Sequence, residues 1–66
     1  MRITLNGQPD SAPEGITVSD LLARLELQPV RVAVEINEEL VSRPTFDRHE
    51  LREGDRIEIV TFVGGG

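Results

Sequence analysis

The group in this chain with the clearest capacity for chemistry is the α-carboxylate of Gly66, which ends the run Gly64-Gly65-Gly66. A carboxylate is a poor electrophile until its oxygen is converted into a good leaving group, and an enzyme that does this must surround the terminus closely. Three extended residues reach roughly 10 Å. Lacking Cβ atoms, they can thread a channel too narrow for other residues. Taken alone, such an end is equally compatible with an inert, disordered terminus, so the remainder of the chain has to decide.

Other candidate groups are weaker. His49 is the single histidine and lies in the polar segment Asp47-Arg48-His49-Glu50, where a surface-loop role is expected. The acids Glu38-Glu39, Glu53 and Asp55 flank turns, where solvated carboxylates belong, and they match no calcium-loop spacing. Asp55, after Gly54, is expected to fix its turn through its side chain. With no cysteine there is no thiol nucleophile, disulfide or thiolate metal site, so any sulfur chemistry uses sulfur carried elsewhere. The glycine run lacks the helix and lysine of a phosphate-binding loop. No metal and no bound cofactor are expected.

Sixty-six residues make one small domain, too small for a deep private active site. Its net charge of −5 disfavours a nucleic-acid backbone and favours a protein with a basic docking face. All seven basic residues are arginine. Codon composition accounts for that, and so does a carrier whose activated acyl terminus must not meet a lysine amine. No apolar run approaches the ~20 residues of a membrane span and no signal peptide precedes the first strand, so the expected compartment is the cytoplasm.

The elements that must present the terminus follow from periodicity. Met1, Ile3 and Leu5 alternate with Arg2 and Thr4 as in a half-buried strand, and Asn6-Gly7 signals a type I′ hairpin. A return strand near Gln8–Ala12 carries Pro9 and belongs at a sheet edge. A helix is expected over Ser19–Leu27, with Leu21, Leu22 and Leu25 on one face, Thr17 and Asp20 capping its start, and Pro29 ending it. Val32, Val34 and Ile36 mark the next strand, Asn37-Glu38 a turn, and Leu40-Val41 the return before Pro44. Phe46 and Leu51 should lid the core from the polar segment Thr45–Arg52, and Glu53-Gly54-Asp55 turns into the last strand.

In that last strand Ile57, Ile59 and Thr61 point one way and Glu58, Val60 and Phe62 the other. Because Ile57 and Ile59 must face the helix, Val60 and Phe62 should form an open-face docking patch beside the tail, with Glu58 on the same side. Ordering three glycines costs ~1–2 kcal/mol each. Burying Val60 and Phe62 against a partner, at ~1.5–3 kcal/mol each, roughly offsets this. On this reading, truncating Phe62 weakens partner binding far more than folding. The element order is solved by one helix across a mixed four- to five-stranded sheet with parallel first and last strands at its centre, an α+β roll of the β-grasp, ubiquitin-like kind. The domain should span 1–63, with 64–66 a flexible tail.

Several segments together resemble the ThiS family of thiamine-biosynthesis sulfur carriers: the Met-Arg-Ile-Thr-Leu-Asn-Gly opening, Gly15-Ile16-Thr17-Val18-Ser19-Asp20-Leu21-Leu22, Val32-Ala33-Val34-Glu35-Ile36-Asn37, Leu51-Arg52-Glu53-Gly54-Asp55-Arg56-Ile57-Glu58-Ile59 and Phe62-Val63-Gly64-Gly65-Gly66. The resemblance spans essentially the whole chain, departing from the family in the two prolines near the second strand and a third terminal glycine. It implies a co-substrate rather than an enzyme. A ThiF-type, E1-like adenylating enzyme would use ATP to activate Gly66. A cysteine desulfurase or rhodanese-type donor would supply sulfur for a thiocarboxylate, and a ThiG-type thiazole synthase would take it. The free carrier is expected to be a monomer. Two alternatives remain at this level: the small subunit of molybdopterin synthase, which shares fold and thiocarboxylate, and a non-catalytic ubiquitin-like interaction module.

Overall fold

The computed structural model describes residues 1–62. The first strand, β1 (Arg2–Leu5), turns at Asn6 and Gly7, whose φ of 48° and 81° give the two positive angles of a type I′ hairpin, and returns as β2 (Gln8–Ser11). Gly7 supplies its angle without strain. The helix α1 (Val18–Arg24) follows, then β3 (Val32–Ile36), β4 (Glu39–Val41) and β5 (Arg56–Thr61). The five strands form one sheet in the order β2-β1-β5-β3-β4. β5 runs parallel to β1 and antiparallel to β3, so the central strand is the one that leads to the tail. The Pro9-bearing β2 is at an edge, as its missing donor requires.

One face of this sheet is apolar and covered. Ile3, Val32, Val34, Ile36, Val41, Ile57 and Ile59 pack with Val18, Leu21 and Leu22 of α1, and Phe46 and Leu51 close the core from the segment after β4. That segment is pinned to the start of α1 through main-chain bonds from Val18 N to His49 O, Ser19 N to Phe46 O and Leu51 N to Ile16 O, each 2.9 Å. A 3₁₀ segment at Arg43–Thr45 leads into it from β4, and a second one, Pro29–Arg31, leads into β3.

At the start of α1 the capping box forms. Thr17 Oγ1 accepts from Asp20 N (3.1 Å), and Thr17 N donates to Asp20 Oδ2 (3.0 Å). That backbone donation, supported by the Thr17 hydroxyl, holds the exposed Asp20 carboxyl below its ordinary pKa. The other end differs from the sequence reading. Pro29 does not stop the helix: Leu25 is its C-cap, and Glu26 takes φ 59°, the left-handed conformation. Glu26 N donates to Ala23 O (3.1 Å) and Leu27 N to Leu22 O (2.9 Å), the paired bonds of a Schellman termination. The reversal exposes Leu25 and tucks the partly buried Leu27 against the core in its place.

A hydrogen-bonded lock joins the β3–β4 turn to the start of β5. Asn37 and Glu38 have φ of 53° and 71°, a pair of successive positive angles like that at Asn6-Gly7. Asn37 Nδ2 donates to Asp55 Oδ1 (3.0 Å), Asn37 Oδ1 accepts from Arg56 N (3.0 Å), and Asp55 Oδ2 accepts from Arg52 N (2.8 Å). Asp55 thus fixes its turn as expected, and it is buried while doing so.

Candidate docking face and reactive terminus

β5 determines what the tail is attached to. Its Ile57 and Ile59 are drawn into the core, so strand alternation turns Glu58 and Val60 to the uncovered side, and Phe62 continues the same parity. Val60 is 61% exposed and Phe62 is 53% exposed. Phe62 N donates to Arg31 O (2.8 Å), which carries the antiparallel ladder with β3 one pair beyond the strand. The sequence-predicted docking residues Glu58, Val60 and Phe62 are therefore brought together on one face. Gly64, Gly65 and Gly66, the tail boundary at 63/64 and the carboxylate itself lie outside the described residues.

The neighbouring strands enlarge this face beyond the sequence reading. The register places Ala33 opposite Val60, Glu35 opposite Glu58, and Leu40 opposite Glu35. Leu40, at 72% exposure, is the most exposed of the large apolar side chains described, and it lines a shallow groove with Ala33 and Phe62, edged by Arg43. Arg43 is positioned by donating from Nε to Pro29 O (2.9 Å). The apolar surface therefore spans β4, β3 and β5, crossed by the acidic pair Glu35 and Glu58. Like charges directly across a strand pair disfavour one another. Among the described residues no salt bridge offsets either one, so the face is left apolar with a negative stripe. The clue to Leu40 was present in the two-residue turn Asn37-Glu38, which fixes the parity of the returning strand.

The remaining candidates take structural roles. His49 is half-buried and contributes its carbonyl to the start of α1. Glu53 Oε1 accepts from Arg2 N (3.1 Å), tying the turn before β5 to β1. Among the described residues no group of three or more His, Asp or Glu side chains is placed to hold a metal ion. No described helix is long and apolar enough to cross a membrane.

Comparison with known proteins agrees with this architecture. The ThiS family matches residues 3–66. A thiazole synthase of Magnetococcus marinus is 48% identical over 66 residues, all of this chain but 20% of that protein, so the chain spans a fifth of the length of that relative. The sulfur carrier protein ThiS of Escherichia coli is 32% identical over the full length of both chains. Among solved structures, the crystal structure of the thiamine biosynthesis protein ThiS from Geobacter metallireducens superposes with a TM-score of 0.85 at 38% identity, covering both chains completely. A family match over residues 3–66, the full-length carrier relative and the shared β-grasp fold lead to one assignment: the chain belongs to the ThiS family.

Proposed function

We propose that this chain carries sulfur for thiazole formation in thiamine biosynthesis, with the Gly66 carboxylate as the carrier group and the β3–β4–β5 face as its docking surface. The observation that carries the reading is geometric: the strand leading to the glycine tail presents its uncovered apolar residues, Val60 and Phe62, in one surface with Leu40 and Ala33. The fold is the handle, and the catalytic machinery belongs to the partners, so the chain is a co-substrate rather than an enzyme.

The chemistry runs in three stages. A ThiF-type adenylating enzyme transfers AMP from ATP to the Gly66 carboxylate, releasing pyrophosphate. A persulfide from a cysteine desulfurase or rhodanese-type donor attacks the acyl carbon and AMP departs. Reductive cleavage of the sulfur–sulfur bond by a thiol leaves the thiocarboxylate, which a ThiG-type thiazole synthase consumes. The thiazole synthase name of the Magnetococcus marinus relative supports that last partner. The glycines let the terminus enter each active site, while the sheet face supplies the binding energy that offsets ordering them. A negative stripe on that face suits partners with basic docking surfaces. ATP is bound by the activating partner, and the cycle is assigned to the cytoplasm.

The test is intact-mass measurement after incubation with adenylating enzyme, ATP and a persulfide donor. The expected product has one oxygen of the terminus replaced by sulfur, and a variant lacking Gly65 and Gly66 remains unchanged. No mass change in the complete chain refutes the carrier reading and leaves an interaction module.

A further inference from the structure

The Asn6-Gly7 turn does more than reverse the chain. Along the parallel β1–β5 pairing, Thr4 N donates to Asp55 O (2.9 Å) and Asn6 N donates to Ile57 O (2.8 Å). Continuing that ladder would place the Ile59 N–H on the main-chain carbonyl of Asn6. The positive φ of Asn6 begins the reversal instead, and Ile59 N donates to the side-chain Oδ1 of Asn6 at 2.7 Å. The amide side chain thus supplies the final rung of the β1–β5 pairing to the strand that bears Val60 on the docking face. The next residue is glycine, which has no Cβ to crowd its own amide nitrogen.

We propose that Asn6 is a modification site: an asparagine poised for deamidation and isomerisation through Gly7, restrained by its clasp on Ile59, and able to loosen β5 once converted. The Gly7 amide nitrogen, losing its proton to solvent base, attacks Asn6 Cγ. The bond from Cγ to the side-chain nitrogen breaks, and the nitrogen leaves as ammonia, closing a succinimide. Water then adds to one of the two imide carbonyls, giving the aspartyl or the isoaspartyl form, with no oxidation or reduction. The folded turn opposes ring closure because Oδ1 is held toward Ile59 N, and Cγ must rotate away from that donor to meet the nitrogen of Gly7. The two products differ in consequence. The aspartyl form keeps an acceptor for Ile59 N, whereas the isoaspartyl form adds a backbone atom to a two-residue turn and breaks the Leu5–Gln8 register across it. The inference rests on the Asn6 geometry and is independent of sulfur carriage.

Aged protein, incubated at mildly alkaline pH folded and in urea, tests it by peptide mass spectrometry with isoaspartyl-specific methylation. Conversion at Asn6 is expected to be about tenfold or more slower in the folded chain, because only locally opened molecules react. Equal rates overturn the clasp. In urea, Gly7→Ala should suppress both products, and an undiminished yield overturns the succinimide route. The fold-independent comparison is kept by hydrogen exchange on the converted protein. The Ile59 amide should exchange about tenfold faster in the isoaspartyl form than in the Asn6→Asp variant. Matching exchange in the two overturns the proposal that conversion loosens β5.

Discussion

Leu40→Ala separates the docking face from the core more cleanly than a change at Val60 or Phe62, which are less exposed. Full burial of a leucine side chain stabilises by ~1.5–3 kcal/mol. Leu40 is 72% exposed, so folding has used less than a third of that, below about 1 kcal/mol, and about 1–2 kcal/mol remains for a partner. At 1.4 kcal/mol per tenfold, affinity for the adenylating enzyme should fall about 5- to 30-fold. Stability should barely change. Phe62 is the instructive contrast. At 53% exposure its burial is divided evenly, so Phe62→Ala should weaken folding and binding by similar amounts, unlike the sequence-based expectation that folding would be spared. The assays are urea denaturation of each variant and calorimetric titration against the adenylating enzyme. If Leu40→Ala binds within twofold of the parent while Val60→Ala loses tenfold, the face ends at β3. If Leu40→Ala instead loses more stability than affinity, the parity argument that places it outside the core is wrong.

Further outcomes follow from the other contacts. Asp55→Ala strands the Arg52 N–H and the Asn37 amide, and should cost about 2–4 kcal/mol in urea denaturation, since these bonds involve a buried carboxylate. A loss under 0.5 kcal/mol would show that water replaces the lock without penalty. The folded pKa of Asp20 is depressed, so its contribution is fully present above the unfolded aspartate pKa and is lost as pH falls through the folded one. Asp20→Asn should therefore flatten the acid limb of a stability–pH curve in that range, and an unchanged limb would place the sensitivity elsewhere. Glu26→Gly relieves a left-handed residue at the helix C′ position and should raise the unfolding free energy by about 0.5–1 kcal/mol after the glycine's larger unfolded-state entropy is counted, read as a higher urea midpoint. A lower midpoint would mean that Glu26 makes compensating contacts through its side chain.

What the sequence determined by itself was whatever depends on neighbours along the chain. Asn6-Gly7 specifies a positive-φ hairpin turn and Asn37-Glu38 a turn, Thr17 and Asp20 cap a helix, and the alternation in Arg56–Thr61 sends Ile57 and Ile59 inward and Val60 outward. These signals are local because they reflect backbone angles and side-chain parity over a few residues. The tertiary structure decided matters in which one residue's partner lies far along the chain. Leu40 joins Val60 and Phe62 only because β4 and β5 both flank β3, and Glu35 faces Glu58 only in that register. The helix ends at Leu25 rather than near Pro29 because Glu26 enters the left-handed region, which brings Leu27 onto the core. Asn6 and Asp55 carry bonds to Ile59 and Asn37 that composition and spacing leave invisible, since a side-chain amide or carboxylate becomes a rung or a lock only when the sheet brings a distant donor to it.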